Sequence, residues 1–299
     1  MTTATETKKT ATPQVMDKWR RRGLQAFLAL TALIWLVPLL WAIYTSLRPY
    51  SETAERGYVS IGGAYNFDNY TQAWTDTEML GYFVNTMWIT IPSVILILFL
   101  ASMAAFALSR FSFRFNLLLL MIFTAGNLLP QQVIITPLYR MFLLLPLPDI
   151  LSPSGVFYDS YFGIITIHVA FQMGFATFVL SNYMKALPGD LNEAAFVDGA
   201  SVWRQYWNII LPLTRPPLAA LAVLMFTWIY NDFFWALVLM VTGADRPITS
   251  ALQNLNGAFF TNNNLVAAGS LLAAIPTLIV FAVLQRQFVA GLTLGSTKG

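Results

Sequence analysis

Seven polar side chains interrupt the most apolar stretches of this 299-residue chain, and they are its first candidates for chemistry. His168 and Asp232 are the two among them that can exchange a proton. Gln172 follows His168 by four positions, so the two share one face of a helix. The others are amides: Asn127, Gln131, Gln132 and Asn231. Ionisable residues within a membrane usually face the bundle interior, which makes His168 and Asp232 the natural ones to test. The alternative for all seven side chains is a purely structural role, in which they form hydrogen bonds between helices or cap a broken span.

No motif in the sequence indicates that the chain catalyses a reaction. It contains neither the G-x-x-x-x-G-K-[ST] phosphate-binding loop nor the zinc motif H-E-x-x-H. His168 is the single histidine and there is no cysteine, so we predict no metal site and no thiolate nucleophile. An intramembrane enzyme is therefore the weakest of the functional interpretations.

The composition indicates a membrane protein, because 57% of the residues are hydrophobic and 10% are charged, whereas a soluble domain carries about 25% charged residues. Apolar runs of about 20 residues are long enough to cross a bilayer as helices. We predict an all-α fold with six spans: 24–46, 83–108, 116–137, 160–183, 215–241 and 264–284. Residues 1–17 are predicted to form a disordered tail, and residues 18–299 a single membrane domain.

The distribution of Lys and Arg predicts the orientation. With these spans, thirteen of the seventeen Lys and Arg residues fall on the side that holds both termini, and four fall on the other side. The positive-inside rule then places both termini in the cytoplasm. Because the cations flank membrane segments, the net charge of +3 does not indicate nucleic-acid binding.

The polar connection at about 188–215 is too long for a tight turn and too polar to cross a bilayer. We predict that Asp190 caps a short helix over 191–198, with Glu193 completing a capping box. Gly199 supplies a break, Ser201 caps a second helix, and Pro212 stops it. The second helix carries an apolar stripe at helical spacing: Trp203, Tyr206, Trp207 and Ile210. Such a loop can lie on lipid headgroups or dock a cytoplasmic partner.

The spacing of this loop resembles the signature of one transporter family. Glu193-Ala194-Ala195 is followed after three residues by Gly199, and after nine more by Ile209-Ile210-Leu211-Pro212. The pattern is similar to the E-A-A loop of permease subunits in bacterial ATP-binding-cassette importers. Further segments resemble the shorter, maltose-permease type of carbohydrate importers: "NFDNYTQAW", "LLPQQVIITPLYRMF", "YNDFFWALVL" and "QRQFVAGLTLGSTKG". One departure is Trp235-Ala236-Leu237, where the family often has Pro in the middle, which leaves the bend of span five open.

The resemblance implies a type I importer permease bundle whose loop is a coupling helix seated in an ATPase subunit. The implied coupling residues are Glu193, Ala194, Ala195, Asp198, Gly199, Ala200 and Pro212. Glu193 would face a basic group of the ATPase, although it could instead only cap its own helix. The C-terminal tail, about 285–299, would reach the ATPase dimer through Gln287, Gly291 and Lys298, unless it is simply a frayed terminus.

The resemblance also implies the partners and the solute. They are a second, homologous permease, a dimeric cytoplasmic ATPase that binds the ATP and Mg²⁺, and an extracellular or periplasmic sugar-binding protein. The complex would lie in a bacterial cell membrane and carry a sugar or oligosaccharide by alternating access. The candidate sugar path comprises Asn127, Gln131, His168, Gln172, Asn231 and Asp232. The alternative is a stand-alone carrier in which His168 and Asp232 relay protons, although a clear internal repeat typical of such carriers is missing.

Overall fold

The computed structural model describes residues 18–76, 78–127, 130–255 and 261–293, and within these ranges the chain contains helices and no strand. The predicted tail at 1–17 lies outside the described residues. The first helices are α1 (Lys18–Ser46), α2 (Tyr50–Arg56), α3 (Asp68–Asp76), α4 (Met79–Arg110), α5 (Asn116–Gly126), α6 (Gln131–Leu144) and α7 (Tyr161–Ala186). They are followed by α8 (Asp190–Val197), α9 (Val202–Gln205), α10 (Leu211–Leu213), α11 (Arg215–Tyr230), α12 (Phe234–Leu239), α13 (Ile248–Ala251) and α14 (Asn263–Thr293). A π-helical turn covers Tyr206–Ile210, and 3₁₀ turns cover Gly243–Asp245 and Leu252–Leu255.

Four of the described helices, α1, α4, α7 and α14, are long and apolar enough to cross a membrane without interruption. The chain reaches up to six spans when two bent helix pairs are each counted as one. The core lies along α4 and α7, where Ala101, Ala105 and Ala176 are fully buried in one apolar cluster. Small side chains allow two helix backbones to approach closely, which is how membrane helices pack without help from water.

Two of the predicted spans are broken. The third, predicted as continuous over 116–137, consists of α5 and α6, whose axes are bent by 94°. Pro130 precedes α6, and proline cannot continue a hydrogen-bonded helix. The fifth, predicted over 215–241, ends as a regular helix at Tyr230 and resumes as α12 only at Phe234. The sequence did not decide whether this span bends at Trp235-Ala236-Leu237. The structure places the break just before that segment.

The connection between α1 and α4 is organised around a buried arginine. Arg48 is 1% exposed, and its guanidinium donates to the hydroxyl of Ser60 at 2.8 Å and to the carbonyl of Gly57 at 3.3 Å. Its own carbonyl accepts from the amides of Asn69, at 2.8 Å, and Asn264, at 2.9 Å. Because buried polar groups are costly unless hydrogen-bonded, this cluster ties the end of α1 to α3 and to the start of α14.

Candidate functional site

A cavity of about 470 Å³ lies where the two broken spans meet α7. Its polar lining consists of Asn127, Gln131, His168, Gln172, Asn231 and Asp232. These are the six side chains selected as a candidate path, and the structure brings all of them around one space. Gln132, the seventh polar candidate, is exposed and does not line it. Ligand cavities commonly combine such a small set of polar groups with apolar walls.

The apolar wall of the cavity is aromatic, and sequence reasoning did not identify its members. They are Phe171, Trp228, Phe233, Phe234 and Trp235. Phe171 and Trp235 pack with their ring centroids 5.5 Å apart. A signal was present, because Phe171 lies beside Gln172 and three of the other rings follow Asp232 directly. Without a structure, the same rings read equally well as ordinary membrane-facing residues.

Asp232 lies in the break between α11 and α12 and satisfies part of the backbone that the break exposes. Its carboxylate accepts from the N–H groups of Trp235, at 3.5 Å, and Ala236, at 3.3 Å, in the first turn of α12. The hydroxyl of Thr249 donates to the backbone carbonyl of Asp232. A carboxylate is favourable at a helix N-terminus, where unpaired N–H groups carry partial positive charge. The break is therefore stabilised by its own side chain and by a neighbouring segment.

His168 lies beside Asp232 in the cavity lining without a direct hydrogen bond to it. Its Nε2 lies 3.7 Å from Oδ2 of Asp232, which is beyond hydrogen-bond length. The imidazole is 4% exposed, and its Nε2 has no hydrogen-bond partner among the described residues. Within the same part of the chain, no cluster of three or more His, Cys, Asp or Glu could hold a metal ion. The imidazole therefore holds an unused hydrogen-bonding atom beside the Asp232 carboxylate.

Gly174 positions Asn127 by allowing α5 to lie directly against α7. A Cβ atom at this position would lie 2.0 Å from the carbonyl oxygen of Phe123 and 2.7 Å from Nδ2 of Asn127. Real Cβ contacts essentially never reach such distances, so only glycine fits here. The amide of Asn127 also donates to the Phe123 carbonyl at 3.4 Å.

The connection between α7 and α11 forms the two short helices that we predicted, but one of the two expected N-caps is absent. Gly189, not Asp190, precedes the first turn of α8, and no side chain caps that helix. The prediction of a capping box from Asp190 and Glu193 was therefore wrong, because Asp190 is already inside the helix. Ser201 does cap α9, with its hydroxyl oxygen accepting from the Arg204 N–H at 3.3 Å.

Pro212 does not stop the second helix, contrary to our prediction. It lies inside α10, after a π-helical turn in which the N–H of Leu211 bonds to the carbonyl of Tyr206, five residues back. A proline has no N–H to donate to the carbonyl four residues earlier, and a single π turn accommodates this loss. The chain bends by 73° between Val202–Leu213 and α11, where Pro216 and Pro217 occupy the first turn of the new helix.

Gln205 fixes the angle between α8 and α9, a role that sequence reasoning missed. Its side chain is 6% exposed. Its amide oxygen accepts from Asn192 of α8 at 3.0 Å, and its amide nitrogen donates to the carbonyl of Ala200 at 3.0 Å. Gly199 makes the turn between the two helices with a φ of +75°, in the left-handed region that favours glycine. The turn that we predicted at Gly199 is therefore present.

The outward face of α8 combines an acidic residue with small and apolar ones. Glu193 and Ala194 are exposed, whereas Ala195 is 7% exposed and packs inward. Phe196 and Val197 are 76% and 84% exposed. The remaining coupling candidates lie close by: Asp198 follows the last residue of α8, and Ala200 follows Gly199.

Tyr206 connects this loop to the helical core. Its hydroxyl lies 2.7 Å from that of Ser102 on α4, and its side chain is 2% exposed. Ile210 of the predicted apolar stripe is fully buried, while Trp203 and Trp207 are about half exposed, at 57% and 47%. The loop is thus anchored to the membrane-spanning part through the stripe.

The candidate contacts of the C-terminal tail are only partly described. Gln287 and Gly291 belong to α14, which continues to Thr293, so the first part of the predicted tail is helical. Lys298 lies outside the described residues.

Comparisons with known proteins agree with this architecture. The family described as "binding-protein-dependent transport system inner membrane component" matches residues 97–293. The chain is 30% identical over 260 residues to a probable ABC transporter permease of Pyrococcus horikoshii, covering 86% of this chain and 91% of that protein. It is 31% identical over 266 residues to the trehalose transport system permease SugB of Mycobacterium tuberculosis, covering 88% and 93%.

A solved structure supports the fold independently. The chain resembles a component of a bacterial ABC transporter involved in the import of the acidic polysaccharide alginate, with a TM-score of 0.75 and 22% identity. The match covers 93% of this chain and 100% of the chain in the solved structure. This similarity confirms the predicted fold class, the helical bundle of a type I importer permease.

Proposed function

The chain belongs to the family of binding-protein-dependent transport system inner membrane components, and we propose that it is the permease subunit of an importer for a sugar or oligosaccharide. Membership confirms the resemblance suggested by the E-A-A loop. The observation that carries the substrate class is the cavity, in which six polar side chains face five aromatic ones. Amides and carboxylates match sugar hydroxyls, and aromatic rings offer flat apolar faces.

The coupling role belongs to the loop between α7 and α11. The exposed acidic group of Glu193, the exposed Ala194 and the apolar Phe196 and Val197 suit a cleft in a separate ATPase dimer, which would bind the ATP and Mg²⁺. Glu193 lies in the first turn of α8 and its side chain is exposed, so its carboxylate is available to a basic group of that partner. Closure of the ATPase would displace α8 and α9 as one unit, because Gln205 joins them.

The displacement has a physical route to the cavity. Tyr206 connects the loop to Ser102 on α4, and α4 packs along the length of α7 in the main apolar cluster. His168 and Gln172 project from α7 into the cavity. Movement of the loop therefore acts on the helix that carries two of the six polar lining side chains, as alternating access requires.

The complete importer would contain a second homologous permease and a sugar-binding protein outside a bacterial cell membrane. The chain itself would contribute no catalytic group. A stand-alone carrier remains the rival, with His168 and Asp232 passing protons. None of the comparisons supports that rival. His168 lines the cavity, and Asp232 accepts hydrogen bonds from backbone N–H groups at the helix break.

The experiment that separates the two functions is uptake into proteoliposomes. The purified importer, reconstituted with its binding protein, should accumulate labelled sugar when ATP is supplied on the ATPase side and should ignore an imposed pH step. The matched control is a complex whose ATPase cannot hydrolyse ATP. Accumulation driven by the pH step without ATP would overturn the proposal.

A further inference from the structure

The cavity has an unusual charge balance for a polar site, because its only formally charged side chain is acidic. The stretches 116–139, 161–184 and 216–244, which supply its lining, contain one Asp and no Glu, Lys or Arg. That residue is Asp232. Among the described residues around the cavity, none is Lys or Arg, so no cation of this kind is available there to receive an anionic guest.

Two groups in this lining have hydrogen-bonding capacity that the chain leaves unused. The Nε2 atom of His168 is buried and has no partner among the described residues, although its ring lines the cavity. Asp232 retains a side chain that is 14% exposed, and its two backbone bonds are long, at 3.5 and 3.3 Å. An unpartnered buried polar atom is costly unless a guest or water completes its bonds.

We propose that the cavity admits uncharged saccharides and excludes uronates, with Asp232 acting as the charge filter. The inference rests on the proposed function and narrows its substrate class. Sugar hydroxyls donate to the Asp232 carboxylate and pair with the unpartnered Nε2 of His168, while a ring face packs on the exposed indole of Trp228. A uronate carboxylate placed beside Asp232 instead brings two negative charges together at low dielectric, where their repulsion is large.

The alternative for Asp232 is a purely structural role at the start of α12. The two roles differ in what they require of the side chain. Capping the turn needs an oxygen acceptor, which asparagine also provides, whereas the filter needs the negative charge. Asp232→Asn therefore separates them, since it keeps an acceptor at the helix break and removes the repulsion.

The test measures direct binding to the purified importer in nanodiscs without the binding protein, so that the permease alone selects. The probes are four neutral disaccharides, trehalose, maltose, cellobiose and diacetylchitobiose, each paired with a counterpart in which one CH₂OH is a carboxylate. We expect at least one neutral sugar to bind and its uronate to bind about tenfold more weakly or worse. Asp232→Asn should reduce this difference to within about threefold, even though the neutral sugar also binds more weakly, because an amide oxygen accepts a weaker hydrogen bond than a carboxylate.

Two further variants complete the test. His168→Gln should weaken the neutral sugar and its uronate alike, because it alters a hydroxyl contact and no formal charge. Asp149→Asn removes an exposed charge that does not line the cavity and should leave the discrimination unchanged.

Each failure has a distinct meaning. If the wild-type importer binds a uronate as tightly as its neutral partner, the filter is wrong and the sugar-import function stands. If Asp232→Asn folds but keeps the full discrimination, the filter is likewise wrong. If that variant does not fold, the wild-type comparison still decides. If no saccharide of either charge binds or is taken up, the proposed function itself fails.

Discussion

Gly174 on α7 and Asn127 at the end of α5 illustrate how single residues set the geometry of the cavity. The backbone of α5 lies so close to α7 that a side chain at position 174 would collide with the carbonyl oxygen of Phe123, 2.0 Å away. The obstacle is backbone, which cannot rotate aside as a side chain can. A substitution must therefore move one helix relative to the other.

We predict that Gly174→Ala displaces α5 and Asn127. Sugar uptake should fall strongly, although the protein remains folded. Overpacking of this kind costs about 1–3 kcal/mol, which thermal unfolding in detergent would reveal as a modest decrease in Tm. Gly126→Ala is the matched control, because a Cβ there meets nothing within 4 Å. Equal uptake by the two variants would show that α5 has no such positional role.

Glu193 supports a second prediction at the residue scale. Because its carboxylate caps no helix, Glu193→Lys should change the free energy of unfolding by less than about 1 kcal/mol, the usual size of a charge effect at a helix N-terminus. The same change reverses the charge offered to the ATPase, which can cost several kcal/mol at a docking contact. Co-purification of the ATPase should be lost, while Glu193→Gln should retain part of it.

Thermal unfolding of the permease and quantitative co-purification are the two measurements for Glu193. If Glu193→Lys unfolds the permease and the folded fraction still retains the ATPase, the residue is structural and the docking role is excluded.

At the scale of elements, the helix pair α8 and α9 behaves as one piece because a buried amide joins it. Gln205 accepts from Asn192 and donates to Ala200, both at 3.0 Å. The left-handed turn at Gly199 sets the direction of the chain, and the amide holds the resulting angle. Because the angle between α8 and α9 is fixed, a displacement of α8 by a partner is transmitted to Tyr206 and α4.

We predict that Gln205→Ala weakens coupling without preventing ATPase binding. Removing the side chain leaves the Ala200 carbonyl and the Asn192 amide without these bonds, at about 1–3 kcal/mol for a buried polar group. The measurement is ATPase activity of the reconstituted importer with and without sugar-loaded binding protein. The stimulation should fall while the basal rate persists. The control is Asn208→Ala, which removes an exposed amide on the adjoining turn. Equal stimulation in both variants would contradict the proposed role of Gln205 in fixing the angle between α8 and α9.

At the scale of the whole molecule, α1 lies at the edge of the bundle. Its apolar side chains are largely exposed, including Ile34 at 61% and Trp35 at 80%, while its packing is mainly on α14. Apolar surface of this extent is ordinary for a helix that meets lipid or another membrane subunit. The overall orientation in the membrane rests on the distribution of Lys and Arg.

We predict that a cysteine at Ser51 is labelled by an impermeant thiol reagent applied to intact cells, and that one at Val197 is not. Both positions are exposed, and the native chain has no cysteine to obscure the result. The reason is the excess of cations on the side predicted to be cytoplasmic. In cells that express the permease without the ATPase, which would otherwise cover this face of α8, Val197→Cys should react only after the cells are opened. Reversed labelling would invert the orientation and remove the basis for docking a cytoplasmic ATPase through α8.

The sequence by itself determined the features that depend on local chemistry. Long apolar runs have no stable state in a bilayer other than a helix, so the membrane spans could be located within a few residues of α1, α4 and α7. The spacing from Glu193 to Pro212 identified the loop and its family. Polar side chains in apolar stretches are conspicuous for the same reason, which is why all six path candidates could be named in advance.

Only the tertiary structure decided how those elements meet. The 94° bend between α5 and α6 and the break at Asp232 need neighbouring segments to satisfy the freed backbone groups. A hydropathy profile does not reveal which distant segments of the chain become those neighbours. The capping box failed because the helix began at Asp190, one residue earlier than its cap required. The aromatic wall of the cavity and the contact of Tyr206 with Ser102 join residues far apart in sequence, since packing of distant helices creates both.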